Sequence, residues 1–159
     1  LALTGSAAGN YVLSATIATT TANITAKELT ATGSTQSSIN ISKAGTLTFA
    51  IANVSGKVNG DTRSTYQLFN GAIFTLKIGT RTYSVTSTAS VDSATGTIYV
   101  SWRLSSELYN DLLAVLGSGT SSAKQLTDLI VVGYSNDGNY KISADCMTQI
   151  FSSGKVIWS

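Results

Sequence analysis

Ile73-Phe74-Thr75-Leu76-Lys77-Ile78-Gly79-Thr80-Arg81-Thr82-Tyr83-Ser84-Val85 decides the fold class. Phe74, Leu76 and Ile78 occupy alternate positions, Gly79-Thr80 interrupts them, and Tyr83 and Val85 resume the alternation. Alternation with period two is the mark of a half-buried strand. Two such runs joined by a short Gly-containing pair form a hairpin. Upstream, Asn70-Gly71 adds a strong turn signal next to Tyr66 and Leu68, which alternate. Downstream, Val91 leads through a turn at Asp92 to Gly96 into Ile98, Val100, Trp102 and Leu104. The middle of the chain therefore reads as a β-meander.

The same pattern continues on both sides. Tyr11, Leu13, Ala15 and Ile17 fall on one face of a predicted N-terminal strand, and Ile24 and Leu29 lie in the Thr/Ala-rich stretch after it. Ile39 and Ile41, then Leu47, Phe49 and Ile51, give two more strands, and Asn59-Gly60-Asp61 gives a turn. Toward the C-terminus, strands are expected at 129–134, 140–151 and 155–158. One segment departs from period two: Leu108, Leu112, Val115 and Leu116 have helical spacing, with Ser105 or Ser106 as N-cap, Glu107 in the first turn and Gly117 at the end. A shorter helical turn is expected at 122–129. The expectation is an all-β fold, an Ig-like or jelly-roll-like β-sandwich of nine or ten strands with one helix near 105–117.

Composition narrows the function classes. Of 159 residues, 43% are hydrophobic and only 11% charged, against about 25% charged in an ordinary soluble domain. Ser and Thr contribute 23 residues each, so the polar surface is built from hydroxyls. That composition suits secreted filaments, adhesins, surface layers and virion parts, and places the chain outside the cell or on a cell or virion surface. The ten basic residues are scattered singly and make no nucleic-acid stripe. No apolar run approaches the roughly 20 residues of a membrane span. The chain opens on Leu1, as a processed or trimmed form would. Proline, which blunts sheet edges, is absent, so open strand edges are expected.

Gly9-Asn10-Tyr11, Thr19-Thr20-Thr21-Ala22-Asn23-Ile24-Thr25-Ala26-Lys27 and Leu29-Thr30 resemble the closing strands of Ig-like repeats in filamentous-haemagglutinin-type bacterial adhesins. The resemblance covers residues 5–33, implies a surface adhesin with β-sandwich structure, and carries no functional residue. By analogy with the donor strands of extracellular filament subunits, residues 1–33 are expected to be an N-terminal extension exchanged with a neighbouring copy, and 34–159 the sandwich domain. Tyr11, Leu13, Ala15, Ile17 and Ile24 are the expected subunit contacts.

Catalytic equipment is sparse. There is no histidine, which removes the usual nucleophile–base pairs and His-containing zinc sites. Ser121-Ser122-Ala123-Lys124 matches the Ser-x-x-Lys spacing but lacks companion motifs, and reads as a helix N-terminus. No carboxylate pair can be nominated, and no enzyme activity and no cofactor are expected. Asn136, Asp137 and Asn139 form a weak candidate cation loop that lacks the EF-hand spacing. Asn23, Asn40 and Asn53 head sequons, about as many as the Ser/Thr content supplies by chance. Cys146, the single cysteine, reads as a buried thiol in a strand-like run. Trp102 shares its alternation with Ile98 and Val100 and reads as core. Tyr99 and Arg103, on the other face of that strand, are the candidate ligand patch. Copies of the chain itself, and surface glycans, are the expected partners.

Overall fold

The computed structural model describes residues 2–14, 17, 19–22, 25–33, 38–118, 120–121, 131–136, 138–151 and 155–158. The meander is present: β4 (Ile73–Ile78), β5 (Arg81–Val91) and β6 (Ile98–Arg103) pair antiparallel in sequence order. Ile78 faces Arg81 across the two-residue turn, with Gly79 at φ 59° in the first turn position, where a side chain would be strained. The other elements are β1 (Lys27–Gly33), β2 (Ser38–Ser42), β3 (Thr46–Ser55), α1 (Ser106–Leu116), β7 (Thr120–Ser121), β8 (Val131–Asn136), β9 (Tyr140–Ile142), α2 (Ala144–Phe151) and β10 (Lys155–Trp158). The chain is mostly β.

All ten strands of the described residues belong to one curled sheet in the order β1-β9-β8-β4-β5-β6-β3-β2-β10-β7. It is mixed, because β1 runs parallel to β9 and β10 runs parallel to β2. It also closes on itself: β1 pairs with the C-terminal half of β3, completing a ring of β1, β9, β8, β4, β5, β6 and β3. Two strands turn the corners. Residues 81–86 of β5 pair with β4, and 87–91 pair with β6. Lys27 to Leu29 of β1 pair with β9, and Thr30 to Gly33 pair with β3 across a register irregularity between Thr30 and Thr32. Strands that switch partners at bends or bulges are how sheets make corners. Ring closure consumes most of the edges that the lack of proline left unprotected. The last strand of the sheet, β7, is two residues long among the described residues.

Ser87 sits at the β5 corner and is 1% exposed. Where β5 leaves β4, residues 69–72 take over its hydrogen bonds. The Gly71 amide donates to the Ser87 carbonyl and the Ser87 amide to the Ala72 carbonyl, both at 2.8 Å. The Ser87 hydroxyl donates to the buried Phe69 carbonyl, and the Ala89 amide donates to Asn70 Oδ1 at 3.2 Å. Asn70-Gly71 is thus the turn that docks on the corner. The segment before it is not the expected alternating strand. Thr65–Leu68 is a 3-10 turn, started by Ser64, whose amide donates to Gln67 Oε1 at 2.6 Å. A local Ser-x-x-Gln cap outcompeted two alternating residues, too few to hold a ladder.

The interior of the curled sheet is filled by side chains at alternate strand positions. Leu29, Ile41, Leu47, Ile51, Val100 and Trp102 are all 0% exposed. Trp102 is core, as its alternation indicated. Phe49 lies edge-on to Trp102 at 5.0 Å and to Phe151 at 4.7 Å between ring centroids. Such aromatic pairs contribute about 0.5–1.5 kcal/mol beyond their buried area. The helix near 105–117 is present as α1. Ser105 Oγ accepts from the Leu108 amide at 3.2 Å, and Gly117 ends it at φ 73°. Leu108, Leu112 and Leu116 form its buried stripe.

Two further expectations are corrected. Residues 140–151 are not one strand: β9 stops at Ile142 and α2 begins at Ala144. Cys146, Met147, Ile150 and Phe151 are buried at helical spacing, and Ser143 caps the helix by accepting from the Cys146 amide at 3.2 Å. Cys146 is buried, but in a helix. Its Sγ accepts from the Ala31 amide at 3.1 Å and donates to the Ala31 carbonyl at 3.2 Å, fastening α2 to β1. Residues 11–17 are not a strand where described, and their exposure does not alternate: Tyr11 is 70%, Val12 95% and Ile17 78% exposed. The helical turn expected at 122–129 lies outside the described residues.

Candidate functional site

Outward positions of β3, β6 and β5 are short and hydroxylated, because their inward neighbours supply the core. Thr46, Thr48, Thr88 and Ser101 share this face, and Thr48 Oγ1 and Ser101 Oγ are hydrogen-bonded at 2.8 Å. With so little side-chain volume above the sheet, the backbone plane forms the floor of a depression of about 440 Å³, lined by Ala44, Thr46, Thr86, Thr88, Ser101 and Arg103. Ala44 and Arg103 also border a second depression of about 380 Å³, whose walls include Lys43, Ser105, Ser106, Tyr109 and Asn110. The two adjoin at Ala44 and Arg103 and together make a shallow groove from β5 across β6 to the start of α1. Each falls within the size range of small-ligand sites.

Arg103 is exposed and stands where the depressions meet. Tyr99, its expected companion, is on the same face but two positions beyond Ser101, about 13 Å along the strand. It is half-buried and lines neither depression. Sequence alternation placed both on one face correctly. It missed Lys43 and the α1 residues, which arrive from separate loops and are joined only by the tertiary fold.

Several charged groups elsewhere are engaged in structure. Asp61 receives the Arg63 side chain at 2.7 Å, the Arg63 amide at 3.0 Å and the Tyr140 hydroxyl at 2.7 Å. The Arg63 guanidinium beside it, then the Tyr140 hydroxyl, hold its carboxyl well below the usual carboxylate range. Tyr140 Oη in turn accepts from the Val58 amide, so this cluster clamps the 58–63 loop to β9 beside a depression of about 430 Å³. Asp111 of α1 receives Tyr83 Oη at 2.5 Å and Arg81 Nη1 at 2.8 Å, which lower its pKa in that order. Asp92 is lowered by the Ala94 amide and the Thr95 hydroxyl within its own turn. General acids and bases near neutral pH need carboxyl pKa values shifted upward, the opposite direction.

Among the described residues, no three acidic or thiol groups converge on a metal-sized site. No helix of the described residues is long and apolar enough to cross a membrane. Asp137 lies outside the described residues, while Asn136 ends β8 and Asn139 precedes β9, its carbonyl accepting from the Lys27 amide at 2.8 Å. Asn40 is exposed on β2. Asn53 is exposed on β3 at φ 52°, with Nδ2 donating to Thr32 Oγ1 at 3.1 Å. Asn23, Ala15, Ile24 and Lys124 lie outside the described residues, and Leu13 is half-buried. Trp158 packs edge-on against Tyr109 at 5.4 Å. In comparisons with protein-family models, curated proteins and solved structures, nothing matched the chain.

Proposed function

We propose that the chain is a non-enzymatic structural subunit of an extracellular filament, surface layer or virion. It assembles with copies of itself by strand pairing and apolar burial between subunits. In this reading the two halves of the curled sheet act as the layers of a sandwich-like module, and the N-terminal segment is the connector. One observation carries the proposal. Leu3, Tyr11, Val12 and Ile17 are 42%, 70%, 95% and 78% exposed, and they precede a strand, β1, that pairs with both β3 and β9. Among the described residues this apolar segment joins no strand of the sheet, and exposed apolar stretches mark interaction sites. Burying the exposed parts of Leu3, Val12 and Ile17 contributes about 3–6 kcal/mol gross. Association costs roughly 4–15 kcal/mol. Side chains alone are therefore marginal, and backbone pairing along the segment supplies the remainder.

The test is deletion of residues 1–25. The truncated chain is expected to fold cooperatively but to remain monomeric by light scattering and electron microscopy, while the full chain assembles. A truncated chain that assembles like the full one overturns the connector role. A second reading, a glycan-binding adhesin module, is favoured by the groove at Arg103.

A further inference from the structure

We propose that the groove between β5 and the start of α1 binds an acidic oligosaccharide, a uronate- or sulfate-bearing chain held by Arg103 and Lys43. This rests on the glycan-binding reading and uses none of the residues of the N-terminal connector.

Charge segregation is the first support. Both depressions carry cations and hydroxyls in their linings, and among the described residues no carboxylate lines either one. The nearest helix carries two acids, but both turn away. Glu107 Oε1 lies 3.7 Å from Arg81 and Asp111 Oδ2 2.8 Å from it, on the side of α1 facing the β4–β5 hairpin. Ser106, Tyr109 and Asn110, spaced by three and four on the helix, face the groove instead. The second support is that the cations are uncommitted. Among the described residues, neither Lys43 nor Arg103 has an ion-pair partner, whereas Arg63 and Arg81 are both paired. The third is the hydroxyl lining, since Thr46, Thr86, Thr88 and Ser106 offer both donors and acceptors. A polyhydroxylated ring needs that chemistry, while a bare phosphate backbone needs mainly cations. Two cations are also too few for nucleic acid, whose binders neutralise about 6–10 phosphates. Arg103 offers a planar fork to a carboxylate or sulfate, and Lys43 a point charge further along the groove.

The test uses the full chain on an array of neutral, uronate-bearing and sulfated oligosaccharides, followed by titration with a uronate tetrasaccharide and a sulfated one. Binding to at least one acidic class is expected, with at least tenfold loss in Arg103→Gln and in Lys43→Gln, and no change in Lys77→Gln on β4. Affinity should fall at about 0.5 M salt, where exposed charges are screened. The uronate and sulfate arms tell which anion the groove prefers. Binding of neutral glycans alone, unaffected by Arg103→Gln, overturns the acidic groove but leaves the glycan-binding reading standing. Binding to no glycan overturns both. Equal loss in Lys77→Gln points to diffuse charge and overturns the site.

Discussion

Replacing Ser87 by Ala removes one hydroxyl from the corner where β5 changes partners. The side chain is 1% exposed, so water does not fill the gap. Ala72 O keeps the Ser87 amide at 2.8 Å, and Gly71 N keeps the Ser87 carbonyl. The loss therefore falls on Phe69 O, buried in the core and left without that donor. An unsatisfied buried acceptor costs about 1–3 kcal/mol. Removing the hydroxyl's own burial cost offsets part of this, so a loss of about 2 kcal/mol is expected. For a chain of this length, with ~4 °C per kcal/mol, the melting temperature should fall by about 8 °C. Urea unfolding should show a lower midpoint with an unchanged slope, because the exposed surface is the same. Hydrogen exchange at Gly71 and Ala89 should quicken, since residues 69–72 are held to β5 by this corner. A stability loss under about 0.5 kcal/mol with unaltered exchange at those amides would refute the claim that Ser87 pins the turn.

Two other outcomes are expected. Asp61, Asp92 and Asp111 have folded-state pKa values below the ordinary carboxylate value, so their contribution is complete above about pH 5 and is lost as pH falls through 4 toward their folded values. Thermal midpoints should be flat from pH 7 to 5 and then drop, with a shallower drop in Asp61→Asn; an identical acid profile in that variant contradicts the assignment. Gly56→Ala should be severely destabilising, by about 3 kcal/mol or more. Gly56 has φ 91°, and a Cβ there would lie 2.3 Å from the Glu28 carbonyl, backbone that must shift in the ring-closing strand; near wild-type stability measured by urea unfolding would show that β1 is not held as described.

The meander and α1 were legible because each carries its own local code: alternation with Gly turns for β4 to β6, and a Ser cap with leucines four apart for α1. Residues 140–151 misled because Tyr140, Ile142, Ala144 and Cys146 alternate, so the start of the helix reads as a continuing strand. Ser143 was the overlooked cap. At Tyr11 to Ile17 the alternation is real in sequence, yet among the described residues none of the segment is a strand. Ring closure itself has no local signal, since it joins β1 to β9 across a large sequence separation. The same holds for the groove: Arg103 was visible from its strand face, while Lys43 and Asn110 are brought to it by the fold.

The parallel pairing of Leu29 with Ile142 sets the order of events as the chain folds. Those residues lie near opposite ends of the sequence, so the contact carries a large loop-closure cost and forms late. Until then the edge of β9 and the Lys27–Leu29 half of β1 stand unpaired, whereas β3, close to β1 in sequence, can already hold the other half. A nascent or refolding molecule therefore passes through an interval with that half of β1 open, and at high concentration the β9 of another molecule competes to pair with it.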